Sequence, residues 1–243
     1  WDRFVGYCVA QGWGGLENLS YIPGNVGASP IQNIGAYGTE VKETIHHVHT
    51  INRENMMQLT YSNSDCMFDY RDSIFKSQLK GKRIITHVVF RLSKKPAFNL
   101  NYGKLQEAVS QKGAVTLETI RQAVTEIRKS KLPEPEEKGS AGSFFKNPVV
   151  REKHYKKLLS AHPGLPSYAL NNKRHKIPAG WLIDQLGWKG YREGDAGVHE
   201  QQALVLVNYG QATGNQIYEL SRRIRESVLS RFNIELEYEV NIL

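Results

Sequence analysis

Apolar residues recur at helical spacing in some stretches of the chain and at two-residue spacing in others. Leu117, Ile120, Ala123, Val124 and Ile127 repeat every three or four positions, which predicts one buried helix face. Thr116 can cap that helix, Glu118 falls in its first turn, and Arg128, Lys129 and Lys131 fall at its end, all matching the dipole. Pro133 stops it. Lys153–Ala161 and Pro178–Leu186 read as shorter helices, the second with proline in its first turn and Gly187 just past its end. Ile217, Leu220, Ile224 and Val228 predict a long amphipathic helix.

Residues 41–92 read as strands. Ile45, Val48 and Ile51 mix with polar positions, and the β-branched run Ile84–Leu92 suits a buried strand. Ala203–Asn208 predicts another buried strand. Ile234, Leu236, Tyr238, Val240 and Ile242 alternate with Glu235, Glu237, Glu239 and Asn241, which predicts a half-buried strand with a carboxylate-rich outer face. Mixed strands and helices in separate runs predict an α+β fold. Proline, charge and then small residues over Pro133–Gly142 make that stretch the best boundary candidate.

Glycine changes the picture at the front. Seven of the 21 glycines lie between Gly12 and Gly38, among Ile, Leu, Val and Trp. Glycine among buried-type residues marks tight turns or close backbone approach. Turn N–H groups can cradle phosphate oxygens, and Gly24, Gly27, Ala28 and Ser29 are candidates for that. The segment is neither a Walker loop nor a GxGxxG fingerprint, and a purely structural set of turns is the other reading.

With 243 residues and 27.6 kDa, the chain fits one large domain or two modest ones. Hydrophobic residues at 40% and charged residues at 23% exclude a disordered tail, a collagen-like fibre and a membrane bundle. No apolar run approaches the ~18 residues of a spanning helix. Cys8 and Cys66 are too few for a disulfide framework and fit a reducing compartment. No metal site is expected: the eight histidines include no HExxH, and His46, His47 and His49 read as strand surface. The formal charge of +8 reads either as plain solubility or as the mark of an anionic partner, such as nucleic acid, a phosphorylated ligand or a membrane surface. Lys156-Lys157 and Lys173-Arg174-His175-Lys176 are short and not interleaved with aromatics, so nucleic acid is not that partner.

Two segments carry candidate chemistry. In Tyr70-Arg71-Asp72-Ser73 the arginine can hold a carboxylate in a bidentate grip, or form a surface turn with a local Asp–Arg pair. In Gly139–Pro148 (GSAGSFFKNP) small residues let the chain turn, and Phe144-Phe145 would anchor it in a core. Ser143 is then fixed beside Lys146 and Asn147, and a fixed hydroxyl can donate a proton to a developing carbanion. No nucleophile elbow surrounds it, and a serine-rich loop is the plain alternative. Glu239 by itself reads as a solvated carboxylate beside Glu235 and Glu237.

Taken together, the segments resemble the UDP-N-acetylenolpyruvoylglucosamine reductase family. The resemblance covers nearly the whole chain and rests on Gly15–Ser20, Ile22–Gly38, Tyr70–Lys76, Lys131–Pro133, Ala141–Pro148, Pro178–Gln185 and His199–Asn208 in order. It implies a partial FAD-binding domain (PCMH-like) over residues 1–130 and an α+β substrate domain over 131–232. A terminal strand, 233–243, would carry Glu239 back to the active site. It also implies a reaction in bacterial cytoplasmic peptidoglycan synthesis, by a monomer that binds neither nucleic acid nor membrane. NADPH reduces FAD, and the flavin passes hydride to UDP-N-acetylglucosamine enolpyruvate, giving UDP-N-acetylmuramate.

The resemblance places the family's catalytic groups on Arg71, Ser143 and Glu239. Tyr70, Tyr102, Lys131, Asn147 and Gln202 match substrate-contacting positions. Pro23, Gly24, Ala28, Ser29, Ile34, Gly35 and Ala36 match the flavin-facing part of the glycine-rich segment. Tyr238 stands where the family often has proline. The family also has a further N-terminal portion, of about 90 residues on domain-size grounds, holding a glycine-rich turn for the flavin diphosphate. The chain opens at Trp1, so the expectation is an incomplete flavin domain. A second reading follows from it: an inactive fragment, or a UDP-sugar-binding module that no longer holds FAD.

Overall fold

The computed structural model describes residues 1–133 and 138–242. It divides into two compact units, Trp1–Arg128 and Lys129–Leu243.

In the first unit, helix α1 (Asp2–Ala10) precedes two short 3-10 turns, Glu17–Leu19 and Val26–Ala28. A small hairpin, β1 (Gly35–Ala36) with β2 (Thr39–Glu40), follows. Strands β3 (Ile45–Asn52), β4 (Gln58–Ser62) and β5 (Arg83–Phe90) form a three-stranded sheet in the order β4-β3-β5. Helix α2 (Leu105–Ser110) leads to α3 (Leu117–Lys131), and the division between units falls in the last turn of α3. Thr116 caps α3 as its sequence predicts: its Oγ1 accepts from the Thr119 N–H at 3.1 Å. The core gathers Trp1, Val5, Leu16, Leu19, Val41, Ile45, Val48 and Phe75, with a satellite of Leu105, Val109, Ile120, Ala123 and Val124.

Three features of this unit differ from the sequence reading. Helices α1 and α2 form where no helix is predicted. Helix α1 buries only Val5, Cys8 and Val9, and α2 only Leu105 and Val109, too few positions to stand out as periodicity. The run Ile84–Leu92 is half-exposed rather than buried: Ile84 is 49% and Val89 38% accessible. The pairing of β3 with β5 slips between His49 and Thr50, which puts an extra residue into β5. Such a bulge resets which side chains face inward, so Ile85, Val88 and Phe90 pack on the core and their neighbours do not.

Asp2 ties α1 to α3 across 119 residues of sequence. Its two carboxylate oxygens accept from Arg121 at 2.7 and 2.8 Å, and Oδ1 also accepts from the Tyr21 N–H at 2.6 Å. These bonds, the Arg121 side chain first, hold the Asp2 carboxyl below its ordinary value of 3.8. A carboxyl lowered on folding adds stability above its unfolded value and loses it as pH falls through the folded one. The stability gap between the wild type and Asp2→Asn, read from urea denaturation, is therefore expected to be constant near neutral pH and to shrink as pH drops below 3.8. A gap that widens on acidification would overturn the assignment. Cys8 and Cys66 are buried free thiols, and burial pushes Cys66 up to about 12.

In the second unit the main sheet runs β10-β11-β12-β6, built from β6 (Gly139–Ser143), β10 (Arg192–Glu193), β11 (Ala196–Val198) and β12 (Val205–Asn208). A smaller sheet runs β7-β9-β8, from β7 (Val149–Arg151), β8 (Tyr168–Leu170) and β9 (Arg174–Lys176). Helices α4 (Glu152–Ala161), α5 (Ala179–Asp184) and α6 (Gly214–Phe232) complete it. Phe145, Leu182, Ile183, Leu206, Ile224, Val228 and Leu236 fill the core. All strand pairs among the described residues are antiparallel, with helices in separate runs, so the fold is α+β.

Helix α6 carries a reciprocal cap. Thr213 Oγ1 accepts from the Gln216 N–H at 3.3 Å, and Gln216 Oε1 accepts from the Thr213 N–H at 2.8 Å. Thr213→Ala is expected to cost about 1 kcal/mol, read as a lower urea midpoint at unchanged slope.

Of the boundary stretch Pro133–Gly142, residues 134–137 lie outside the described residues, and Gly139–Gly142 form part of β6. This strand pairs antiparallel with β12. The segment after α6 keeps its alternation, with Ile234 and Leu236 buried, but it is not a strand. Among the described residues it joins β structure at a single bridge, Tyr238 to Phe145. The alternation therefore reports one face on the core, not a ladder of strand pairs.

Candidate active site

The first unit builds one corner around Arg71. Asp69 and Asp72 exchange backbone hydrogen bonds at 3.1 and 3.2 Å, closing a tight turn with Tyr70 and Arg71 at its tip. Arg71 takes a left-handed backbone, φ +54°, which a non-glycine residue keeps only when its surroundings enforce it. The enforcement is visible. Ser73 is buried and donates to the Ile31 carbonyl at 2.6 Å, Asp72 accepts from the Ser73 N–H at 2.8 Å, and Lys76 donates to the Arg71 carbonyl at 3.2 Å. The Asp72 carboxylate thus caps the backbone. The Arg71 guanidinium donates to the Gly35 carbonyl at 2.7 Å and lies over the Tyr70 ring. Glycine is required at 35 for this approach, because a Cβ there would stand 2.8 Å from Arg71 Nη1 and 3.0 Å from the Thr39 carbonyl.

Arg128 and Tyr37 belong to the same corner, and sequence reading missed both. By sequence Arg128 is explained as a match to the helix dipole. Its Nε donates to the Tyr21 carbonyl at 2.8 Å. Burial lowers its guanidinium from the ordinary value; Tyr37 opposes that shift and the charge of Arg71 adds to it. Burial likewise raises the Tyr37 hydroxyl, against the pull of Arg128. Two guanidinium groups within each other's field are a costly arrangement unless an anion completes it. Tyr102 packs edge-on against Tyr37, ring centroids 6.1 Å apart. Lys131 ends α3 and is exposed.

Of the flavin-facing candidates, Pro23, Gly24 and Ala28 are exposed. Gly24 takes φ +111°, and open space surrounds the place of its Cβ. The 3-10 turn after it begins with the N–H groups of Val26 and Gly27, which a turn of this kind leaves for an outside acceptor. Ile34, Gly35 and Ala36 are half-buried beside the Arg71 fork. Ser29 is different: it is buried, and its hydroxyl donates to the Val26 carbonyl at 2.7 Å.

The second unit builds a separate group of its own around Ser143. Val205 pairs with Ser143 and Val207 with Ser140, so β6 holds one residue more than β12 between them. Gly142, at φ +71°, takes up the extra residue. A bulge of this type re-aims the next side chain. Phe144 and Phe145, buried behind it, fix the backbone. The Ser143 hydroxyl has no hydrogen-bond partner among the described residues and is half-exposed. The Glu239 N–H donates to the Phe144 carbonyl at 3.0 Å, and the Lys146 N–H donates to the Glu237 carbonyl at 2.8 Å, which seats Glu239 next to Ser143 in the backbone network.

Tyr238 is what holds that segment. It stacks on Phe145 at 5.5 Å, accepts from the buried Ser221 hydroxyl at 3.2 Å, and lies under the Arg225 guanidinium. Arg225 Nε also donates to the Leu236 carbonyl at 2.9 Å. Asn147 and Gln202 converge on the first turn of α5. Asn147 Oδ1 accepts from the Ala179 N–H at 2.8 Å, and a Cβ on Gly180 would stand 3.0 Å from Gln202 Oε1. Ser143, Asn147, Gln202 and Glu239 thus share one region of the second unit. Among the described residues there is no group of three or more His, Cys, Asp or Glu able to hold a metal.

Comparison with known proteins matches the chain itself to a family. Residues 134–243 match the family described as UDP-N-acetylenolpyruvoylglucosamine reductase, C-terminal domain. The UDP-N-acetylenolpyruvoylglucosamine reductase of Chromobacterium violaceum is 50% identical over 246 residues, covering 100% of this chain and 72% of the relative. The chain belongs to the UDP-N-acetylenolpyruvoylglucosamine reductase family. The Bacteroides fragilis reductase is 47% identical over 243 residues, covering 100% of this chain and 73% of the relative. The crystal structure of the reductase (MurB) from Thermus caldophilus matches with a TM-score of 0.67 at 26% identity, over 98% of this chain and 68% of that one. The second unit contains the reductase family's C-terminal domain, and the glycine-rich front and the Tyr70–Lys76 turn lie in the part aligned ahead of it. No helix among the described residues is long and apolar enough to cross a membrane.

Proposed function

We propose that this chain carries the catalytic groups that reduce UDP-N-acetylglucosamine enolpyruvate to UDP-N-acetylmuramate in bacterial cytoplasmic peptidoglycan synthesis, with NADPH as hydride donor and FAD as carrier. The observation that carries the reading is the Ser143 hydroxyl, re-aimed by the Gly142 bulge, unpaired among the described residues, and beside Glu239. The exposed backbone at Pro23, Gly24 and Ala28, the open N–H groups after Gly24, and the half-buried Ile34, Gly35 and Ala36 are the residues that would hold a flavin. When bound, FAD supplies to the double bond the hydride it has received from NADPH.

The remaining chemistry belongs to side chains. Hydride addition at one alkene carbon leaves negative charge on the other, shared with the attached carboxylate. The Arg71 fork binds that carboxylate and stabilises the charge as it develops. Ser143 donates its hydroxyl proton to the charged carbon. Glu239 assists in its protonated or hydrogen-bonded form, since two bare carboxylates would repel. Tyr70, Tyr102, Lys131, Asn147 and Gln202 hold the nucleotide sugar; the Asn147 amide NH2 is a donor still open among the described residues.

Purified protein carrying this chain is expected to bind FAD and to oxidise NADPH only when the enolpyruvyl nucleotide is added. Protein with no flavin and no such turnover would sink the reading. Binding of the nucleotide sugar without flavin would support the UDP-sugar-binding module instead.

A further inference from the structure

Apart from the group around Ser143, the second unit has a cleft of about 540 Å³ between one face of α4 and the end of α6. Leu158 and Phe232 form its buried floor, and His154 and His162 its half-buried walls. Its rim carries Arg151, Lys153, Lys157 and Arg231, all exposed, and no carboxylate lines it. Among the described residues none of these four forms an ion pair with an Asp or Glu. Elsewhere in the same unit Lys146, Lys156, Lys189, Arg192, Arg222, Arg223 and Arg225 each pair with an Asp or Glu, whereas Lys138, Lys173 and Arg174 form no such pair among the described residues. The contrast holds within α4 itself. Lys156 pairs with Glu152 at 2.7 Å, while Lys153 and Lys157 have no such partner among the described residues.

The register of the small sheet adds to it. Arg151 stands directly across from Arg174, a like-charge pair that costs stability. The α6 end would repel an anion through its free carbonyls, but two of them are already occupied. His154 Nε2 is 3.0 Å from the Phe232 carbonyl, and the Asn233 N–H donates to the Leu229 carbonyl at 2.9 Å.

We propose that this cleft binds a phosphate-rich small molecule of nucleotide size, its phosphates on Arg151, Lys153, Lys157 and Arg231 and its planar or apolar body over Leu158 and Phe232. The volume lies in the range of small-molecule sites. A cationic rim over an apolar floor suits an amphipathic anion better than a bare one. The site shares no residue with Ser143, Asn147, Gln202 or Glu239.

Calorimetric titration of the full chain with ATP, and separately with tripolyphosphate, tests it. ATP is expected to bind, to weaken about tenfold in Lys153→Glu/Lys157→Glu, and to be unaffected by Arg71→Lys. Tripolyphosphate is expected to bind more weakly than ATP because it leaves the floor uncovered. No ATP binding at millimolar concentration, or an affinity the double variant does not change, would overturn the proposal. Equal binding of tripolyphosphate and ATP would overturn the role of the floor. Tighter binding of an RNA oligonucleotide that displaces ATP would make the surface a nucleic-acid one and overturn the small-molecule assignment. Both lysines are exposed, and unchanged circular dichroism shows that a loss reflects the site and not unfolding.

Discussion

Ser143→Ala is expected to lower reduction of the enolpyruvyl nucleotide by about 10²–10⁴-fold while leaving FAD reduction by NADPH intact. The two half-reactions separate because only the second needs a proton at carbon. Stopped-flow absorbance of the flavin reads both: bleaching by NADPH keeps its rate, and reoxidation by the nucleotide slows. Equal loss of both rates would count against the proton-donor role. The bulge gives a structural companion. Gly142→Ala puts a side chain on a left-handed backbone at φ +71°, so it strains the turn that aims Ser143. It should slow the same half-reaction, by less, with the hydroxyl still present.

Arg71→Lys is expected to cost about 10²–10³-fold in kcat/KM for the nucleotide, although the charge is kept. A lysine is a point charge and cannot reproduce the planar fork that grips a carboxylate and the Gly35 carbonyl together. KM should rise as well as kcat fall, because the carboxylate is bound before and after hydride transfer. Gly35→Ala tests the same geometry without touching the arginine, since its Cβ would enter the space of Nη1. A normal kcat/KM in Arg71→Lys would place the carboxylate elsewhere.

The larger elements were legible in the sequence for a physical reason: a long helix on a core repeats its apolar residues often enough to be read. Helix α3, with its Thr116 cap, and α6 follow that periodicity closely. Short elements escape it. Helices α1 and α2 bury two or three residues each, and β5 changes face at a bulge. The segment after α6 shows the opposite limit. Its alternation is genuine, yet alternation reports only which side is buried and says nothing about the hydrogen-bonded partner on the other edge.

The candidate chemistry divides in the same way. Motifs along the chain named Arg71, Ser143 and Glu239 through a family resemblance, and the family is shown by relatives that match the whole chain at half identity. Arg128 carried no such signal, because a basic residue near a helix end is already explained by the dipole. Its burial against Tyr37, and its place in the field of Arg71, are contacts between residues far apart in sequence.

By itself the sequence determined the fold class, the long helices and which residue types stand ready for chemistry, since these follow from composition and local periodicity. Only the tertiary structure decided how those residues are presented. The left-handed turn at Arg71, the Gly142 bulge under Ser143 and the Tyr238 stack beside Glu239 all depend on partners far along the chain, which periodicity does not encode.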